Sequence, residues 1–189
     1  MLNEMGQRKV IPDVQTFNIL GDTLCKEGML IEAKKVFDVM IQRGIEPDTV
    51  TYSSLIDGYC LQSKIDDAIK AFNMMLERGC SPDVFSYNIL INGYCKSKRI
   101  DEAMHLFHDM SNKGLVPDVV TYSTLIGGLC QVERPQAALE LFPKMRACGQ
   151  HPNPRTYAIL LDGLFKNKNF VEGMNCLKRW KTKIWTAIL

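Results

Sequence analysis

No CxxC pair occurs anywhere in the 189 residues, although seven cysteines are present. The usual zinc and dithiol readings therefore have no support. No apolar run approaches the roughly 18 residues of a membrane helix. Charge of one sign is also missing: 23 Lys+Arg against 21 Asp+Glu leave a net +2. Such a balance does not by itself point to a polyanionic partner, so only the placement of charges could. The opening MLNEMGQRKV has neither the apolar stretch of a signal peptide nor the acid-free, Arg/Ser-rich composition of a transit segment. One domain or one continuous array is the natural count for this length.

What is present in quantity is repetition. Residues 50–60 read VTYSSLIDGYC and residues 120–130 read VTYSTLIGGLC, 70 positions later. Neither stretch holds a metal-ligand set, a phosphate loop or a nucleophile elbow. The full period is 35: Pro-Asp recurs at 12–13, 47–48, 82–83 and 117–118, followed by Pro152-Asn153. Phe17, Tyr52, Tyr87, Tyr122 and Tyr157 keep the same beat, as do Ala33, Ala68, Ala103 and Ala138. So do the runs beginning at Phe37, Met40 and Gly44. Cys25, Cys60, Cys95 and Cys130 are spaced identically, which suits small buried hydrophobes better than bridges. A reducing compartment is the matching expectation. Cys80, Cys148 and Cys176 follow no beat.

Within one copy the spacing is helical. Tyr52, Leu55, Ile56, Tyr59 and Cys60 form one stripe; Ile65, Ala68, Phe72, Met75 and Leu76 form a second, with a polar turn near Leu61–Lys64. Gly79 and Pro82-Asp83 stop one copy and cap the next. A lone helix pair cannot bury its stripe, so neighbours must stack into an all-α solenoid. Gly58, Gly93, Gly128 and Gly163 recur inside first helices, where glycine costs about 1 kcal/mol against alanine; close helix approach is the predicted reason.

A 35-residue pair written VTYSSLIDGYC…IDDAIKAFNMMLERGCSPD resembles the pentatricopeptide repeat (PPR) family over about residues 1–175. The tetratricopeptide repeat, with a period of 34, places its aromatics and glycines differently. A single copy length resembles the P-class, and LIDGYC, LINGYCK and RIDEAMHLFHDM resemble the restorer-of-fertility branch of plants. The expected division is an incomplete copy at 1–13, full copies at 14–48, 49–83, 84–118 and 119–153, a degenerate copy at 154–175 and an atypical tail at 176–189. The resemblance implies a right-handed superhelix of antiparallel helix pairs, no catalytic activity, and no cofactor or metal.

It also implies single-stranded RNA as the partner, read one base per repeat. Two residues per copy carry the reading: Asn18 with Asp48, Ser53 with Asp83, Asn88 with Asp118, and Ser123 with Asn153. Asn fills space that Ser leaves open, so Asn suits a pyrimidine and Ser a purine. An Asp carboxylate only accepts, favouring the ring N–H of U or G, whereas the amide of Asn153 can donate to N1 of adenine. The predicted target is 5′-UGUA-3′, with C tolerated at each U. Val50, Phe85 and Val120 fit base clamps, Phe85 contributing about 1–3 kcal/mol by stacking; Gln15 and Arg155 depart from that pattern. Lys26, Lys96 and Lys166 are phosphate-contact candidates, interrupted by Leu61 and Gln131, with solvated turn lysines as the competing reading.

By the same resemblance the setting is the mitochondrion, with the chloroplast second, and RNA-processing proteins are further partners; nothing suggests a membrane. Some relatives append a deaminase-like zinc domain, whose HxE and CxxC motifs are absent here. His105 and His108 align with Lys70 and Asn73 and read as surface residues. The competing function is a protein-binding scaffold, since solenoids offer surfaces to peptides as well. Met5 falls 35 before Met40 and Trp180 35 after Met145, yet neither end reads as a polar cap. A truncated product or a segment of a longer array is expected, with a tail that frays or forms an improvised apolar cap. The target transcript and the outcome of binding are not written in the sequence.

Overall fold

The structure is a computed structural model describing the backbone of residues 12–188 and the side chains of residues 12–179. Met5 in the incomplete copy and the side chain of Trp180 in the tail lie outside what the structure describes. Among those described, the regular elements are α1 (Val14–Lys26), α2 (Leu30–Gln42), α3 (Thr49–Leu61), α4 (Ile65–Glu77), α5 (Val84–Lys96), α6 (Ile100–Asn112), α7 (Val119–Gln131), α8 (Pro135–Ala147), α9 (Pro154–Lys166) and α10 (Phe170–Ile188). The fold is thus an all-α helical-repeat solenoid. Contacts divide it after Gly93, within α5, into two compact units.

Each first helix starts on a side-chain cap. Asp13, Asp48, Asp118 and Asn153 accept the backbone N–H three residues on, and Asp83 accepts that of Ser86 at 2.8 Å. At Asp48, Asp118 and Asn153 a threonine at the third helical position returns a bond to the cap backbone. Second helices end on left-handed glycines, Gly44, Gly79, Gly114 and Gly149. The Gly44 N–H donates to the Ile41 carbonyl and the Ile45 N–H to that of Met40, which stops the helix and turns the chain. The turn within each hairpin repeats this geometry: Ser63 N–H donates to Cys60 and Lys64 N–H to Tyr59. Its left-handed residue is Gly28 in the first hairpin but Ser63, Lys98, Glu133 and Lys168 afterwards, all with φ near 60°.

The expected stripes hold at Tyr52, Leu55, Ile56, Cys60, Ile65, Ala68, Phe72 and Met75, all buried. Tyr59 is half-buried, and Leu76 is exposed. First helices bury more than one face, because Thr51, Ser53 and Gly58 of α3 are sealed as well. Helix α3 packs on its own partner α4 and also on α1, so a single stripe cannot describe it. Successive hairpins are joined by edge-to-face ring pairs, Phe37 on Tyr52, Phe72 on Tyr87, Phe107 on Tyr122 and Phe142 on Tyr157, with centroids 5.3–5.4 Å apart.

Close approach does explain the recurring glycines. A Cβ at Gly58 would lie 2.6 Å from Cys25 Sγ, one at Gly93 2.5 Å from Cys60 Sγ, and one at Gly128 2.6 Å from Cys95 Sγ; Gly163 meets Cys130 in the same way. In the first hairpin the equivalent position is Thr23, which is exposed. The cysteine and the glycine are therefore two halves of one contact.

All seven cysteines are free, and the four on the beat are buried. Burial pushes the Cys25 and Cys130 thiols up to about 11, with nearby carboxylates adding to it, and the Cys95 thiol up to about 12. Iodoacetamide at pH 8 should label exposed Cys148 at least about a hundredfold faster than these three, since the thiolate is the reactive form. Peptide mass spectrometry reads the order; equal labelling of the folded chain would contradict the burial.

Candidate nucleic-acid interface

Each expected reading pair straddles two hairpins. Asn18 is half-buried on α1, and Asp48 is the exposed N-cap of α3. The Asn18 Nδ2–H group donates to Asp48 Oδ1 at 3.1 Å and to Oδ2 at 3.3 Å. Asp48 Oδ1 also accepts the Thr51 backbone N–H and lies within 2.9 Å of the Thr51 hydroxyl, which reaches Asn18 Oδ1 at 2.5 Å. Burial opposes ionisation of Asp48, but hydrogen bonds from Thr51 and Asn18 outweigh it and hold the carboxyl below the usual range. At neutral pH this group is an acceptor only, as reading a ring N–H requires.

In the second pair Ser53 is buried, at 1% exposure. Its Oγ sits 2.8 Å from Ser86 Oγ, which donates to Oδ1 of exposed Asp83. Ser53 is therefore sealed at the hairpin junction against a hydroxyl. Ser123 repeats this arrangement, 2.9 Å from Thr156 Oγ1. Asn153 Oδ1 accepts both the backbone N–H and the hydroxyl of Thr156 at 2.9 and 3.0 Å. Capping thus fixes which end of that amide is the oxygen, and donors are what Asn153 has left to present. Asn88 is half-buried in the first unit; Asp118, in the second, caps α7 through Thr121. Ala158, at the same register as these reading residues in α9, is exposed and has no polar group.

Val50, Phe85 and Val120 are 56%, 65% and 57% exposed, each two residues after a cap. These three apolar side chains therefore recur exposed at one register of the repeat. Gln15 and Arg155 occupy the register at the two ends and are exposed too. The lysines are less uniform. Lys26 pairs with Asp22 at 2.6 Å and Lys166 with Asp162 at 2.7 Å, whereas exposed Lys96 has Asn92 four residues before it. Exposed i,i+4 pairs are weak, so a phosphate could displace them, but Lys96 needs no exchange. His105 and His108 are exposed, and no group of three or more His, Cys, Asp or Glu forms a metal site among the described residues.

Sequence reasoning missed the Ser or Thr one residue before each aromatic: Thr51, Ser86, Thr121 and Thr156. It was legible as a beat, yet it resembled ordinary helix-start chemistry.

Repeated 35-residue helix pairs, stacked within each unit, define a helical-repeat protein. The PPR repeat family matches residues 22–61, 54–96, 82–131 and 117–166, and a PPR repeat matches 155–183. The chain belongs to that family. It is similar to the crystal structure of the pentatricopeptide repeat protein PPR10 from maize, at 34% identity and TM-score 0.79, covering 96% of this chain and 26% of that one. The PPR10 complex with an 18-nt psaJ RNA element gives 34% identity and TM-score 0.82, covering 100% and 28%. The chain thus spans about a quarter of the length of PPR10. The PPR domain of Arabidopsis thaliana protein-only RNase P 1, solved with tRNA, shares the fold at 19% identity and TM-score 0.72, covering 87% and 86%. No curated protein sequence matches the chain.

Proposed function

We propose that this chain binds single-stranded RNA, one base at each hairpin junction, with the preferred order 5′-UGUA-3′. The observation that carries the reading is the Asn18–Asp48 pair: an ionised acceptor held by a neighbouring amide, beside exposed Val50. Asn18/Asp48 and Asn88/Asp118 take U, Ser53/Asp83 takes G, and Ser123/Asn153 takes A. Val50, Phe85 and Val120 separate the bases, while Lys96 first, then Lys26 and Lys166, meet phosphates. PPR10 bound to its RNA element is a relative that supports this reading. The single copy length and the LIDGYC-type phrases further suggest a P-class, restorer-of-fertility-like protein acting in organellar RNA metabolism, first in the mitochondrion.

A salt titration on labelled UGUA-bearing RNA tests it. With three lysines meeting phosphates, log K should fall against log[salt] with a slope of about −2. A scrambled four-base core should bind more weakly at every salt concentration. Salt-independent binding, or none, would leave the protein-scaffold reading in its place.

A further inference from the structure

In three first helices, α3, α5 and α9, the hydroxyl at the third position has a second partner that helix initiation does not require. Within its own copy, Thr51 accepts the Asp48 N–H at 3.1 Å, and the Asp48 carboxylate receives the Thr51 N–H at 2.9 Å. Those two bonds complete the cap. Thr51 Oγ1 nevertheless also reaches back to the reading residue of the preceding hairpin, Asn18 Oδ1 at 2.5 Å. Ser86 does the same to Ser53 at 2.8 Å, and Thr156 to Ser123 at 2.9 Å. Three junctions share this bridge although their reading residues differ.

Proton counting shows what the bridge does. A hydroxyl has one hydrogen. When Thr51 gives it to Asn18 Oδ1, the Asn18 Nδ2–H group is left facing the Asp48 carboxylate, where it is found. Asp48 N–H to Thr51, Thr51 to Asn18, and Asn18 to Asp48 then form a closed ring in which each donor meets an acceptor. The amide has one orientation in that ring. At the second junction, when Ser86 gives its hydrogen to the Asp83 carboxylate, Ser53 is the donor to Ser86. That relay holds buried Ser53 and occupies Oδ1 of exposed Asp83.

We infer that Thr51, Ser86 and Thr156 are positioning residues for base selection: each hydroxyl sets the orientation of the reading side chain one hairpin earlier and of the acidic or amide cap beside it. They touch no base themselves. The inference rests on the proposed RNA reading and adds a residue to it. It also makes each base site a property of two adjacent hairpins.

Thr51→Val keeps the shape and the Thr51 N–H cap bond but removes the bridge, together with the acceptor for the Asp48 N–H. Fluorescence anisotropy is read on UGUA-bearing RNA and on versions with each other base at the first or the second position. For Thr51→Val, the preference for U at the first base should fall about tenfold, the scale of one lost hydrogen bond, while the preference for G at the second base stays. Ser86→Ala should give the reverse pattern. Alanine is the better helix former, so that variant keeps the test alive if Thr51→Val melts early. Thr51→Ser should restore the wild-type pattern, as Ser86 already serves at the next junction. Melting curves report the fold of each variant. If Thr51→Val and Ser86→Ala weaken all RNAs equally, the hydroxyls only cap helices, and the inference fails while base reading stands. If the wild type itself shows no preference at these positions, the RNA reading and the inference fall together.

Discussion

Gly93→Ala is expected to destabilise the chain, although alanine is normally the better helical residue. The swap gains about 1 kcal/mol of helix propensity. Against it, the new methyl would lie 2.5 Å from Cys60 Sγ and 2.9 Å from Ile65 Cδ1. The end of the isoleucine can rotate; the sulfur can retreat only by leaving its rotamer, and Cys60 Cβ, 3.3 Å from the new methyl, only by moving the helix. Overpacking of this kind costs about 1–3 kcal/mol, and two contacts under 3 Å place this site in the upper half of that range, so the clash wins and a net loss of about 1–2 kcal/mol follows. At roughly 2–4 °C per kcal/mol for a chain of this size, the melting temperature should fall by several degrees. The decisive measurement is the double-variant cycle with Cys60→Ala. Removing the sulfur gives the new methyl a place, so the pair should be more stable than the two single changes predict, by more than about 1 kcal/mol. A Gly93→Ala variant that melts higher than wild type would show that close approach is not why glycine stands there.

Ser53→Asn should redirect the second base from G to U. The junction is already furnished for asparagine: Asp83 and Ser86 stand where Asp48 and Thr51 stand one copy earlier. Asn18 shows where the longer side chain goes, half-buried and bonded to the cap carboxylate. Asparagine at 53 would fill the space a purine needs while Asp83 stays an acceptor, so a pyrimidine with a ring N–H becomes the best fit. Gaining one fit and losing the other should invert a preference of about tenfold or more, each side being worth a hydrogen bond or a steric mismatch. Competition between UGUA and UUUA strands reads the inversion. An unchanged ranking would reject the two-residue reading while leaving the fold untouched.

The fold was legible because its determinants are local and repeated. Asp48 announces a helix start and Gly44 a helix end by their own side-chain chemistry, and the 35-residue beat says that every copy does the same. The left-handed turns at Ser63, Lys98, Glu133 and Lys168 escaped notice because no glycine marks them; the surrounding hydrogen bonds impose the conformation. Burial of Ser53 and Thr51 was hidden for a different reason. A stripe reports one buried face, whereas α3 is enclosed by its partner and by α1, which the periodicity of a single copy cannot express. The glycine–cysteine contacts lay between the two cases: both halves were visible as beats, and only their coincidence in space was missing. The bridge from Thr51 to Asn18 spans 33 residues and two helices, so spacing alone gave no hint of it.

At the Asp48 junction one carboxylate serves two masters. Asp48 Oδ1 starts a helix, and the rest of the same side chain is what a nucleotide would meet. Any substitute must therefore be short and able to accept from the third backbone N–H, which confines the choice to Asp, Asn, Ser and Thr. Folding has in effect chosen the alphabet. Evolution or an engineer can rewrite the message within those four letters at little thermodynamic penalty, whereas a letter such as alanine weakens the page by about 1 kcal/mol at each place it is written.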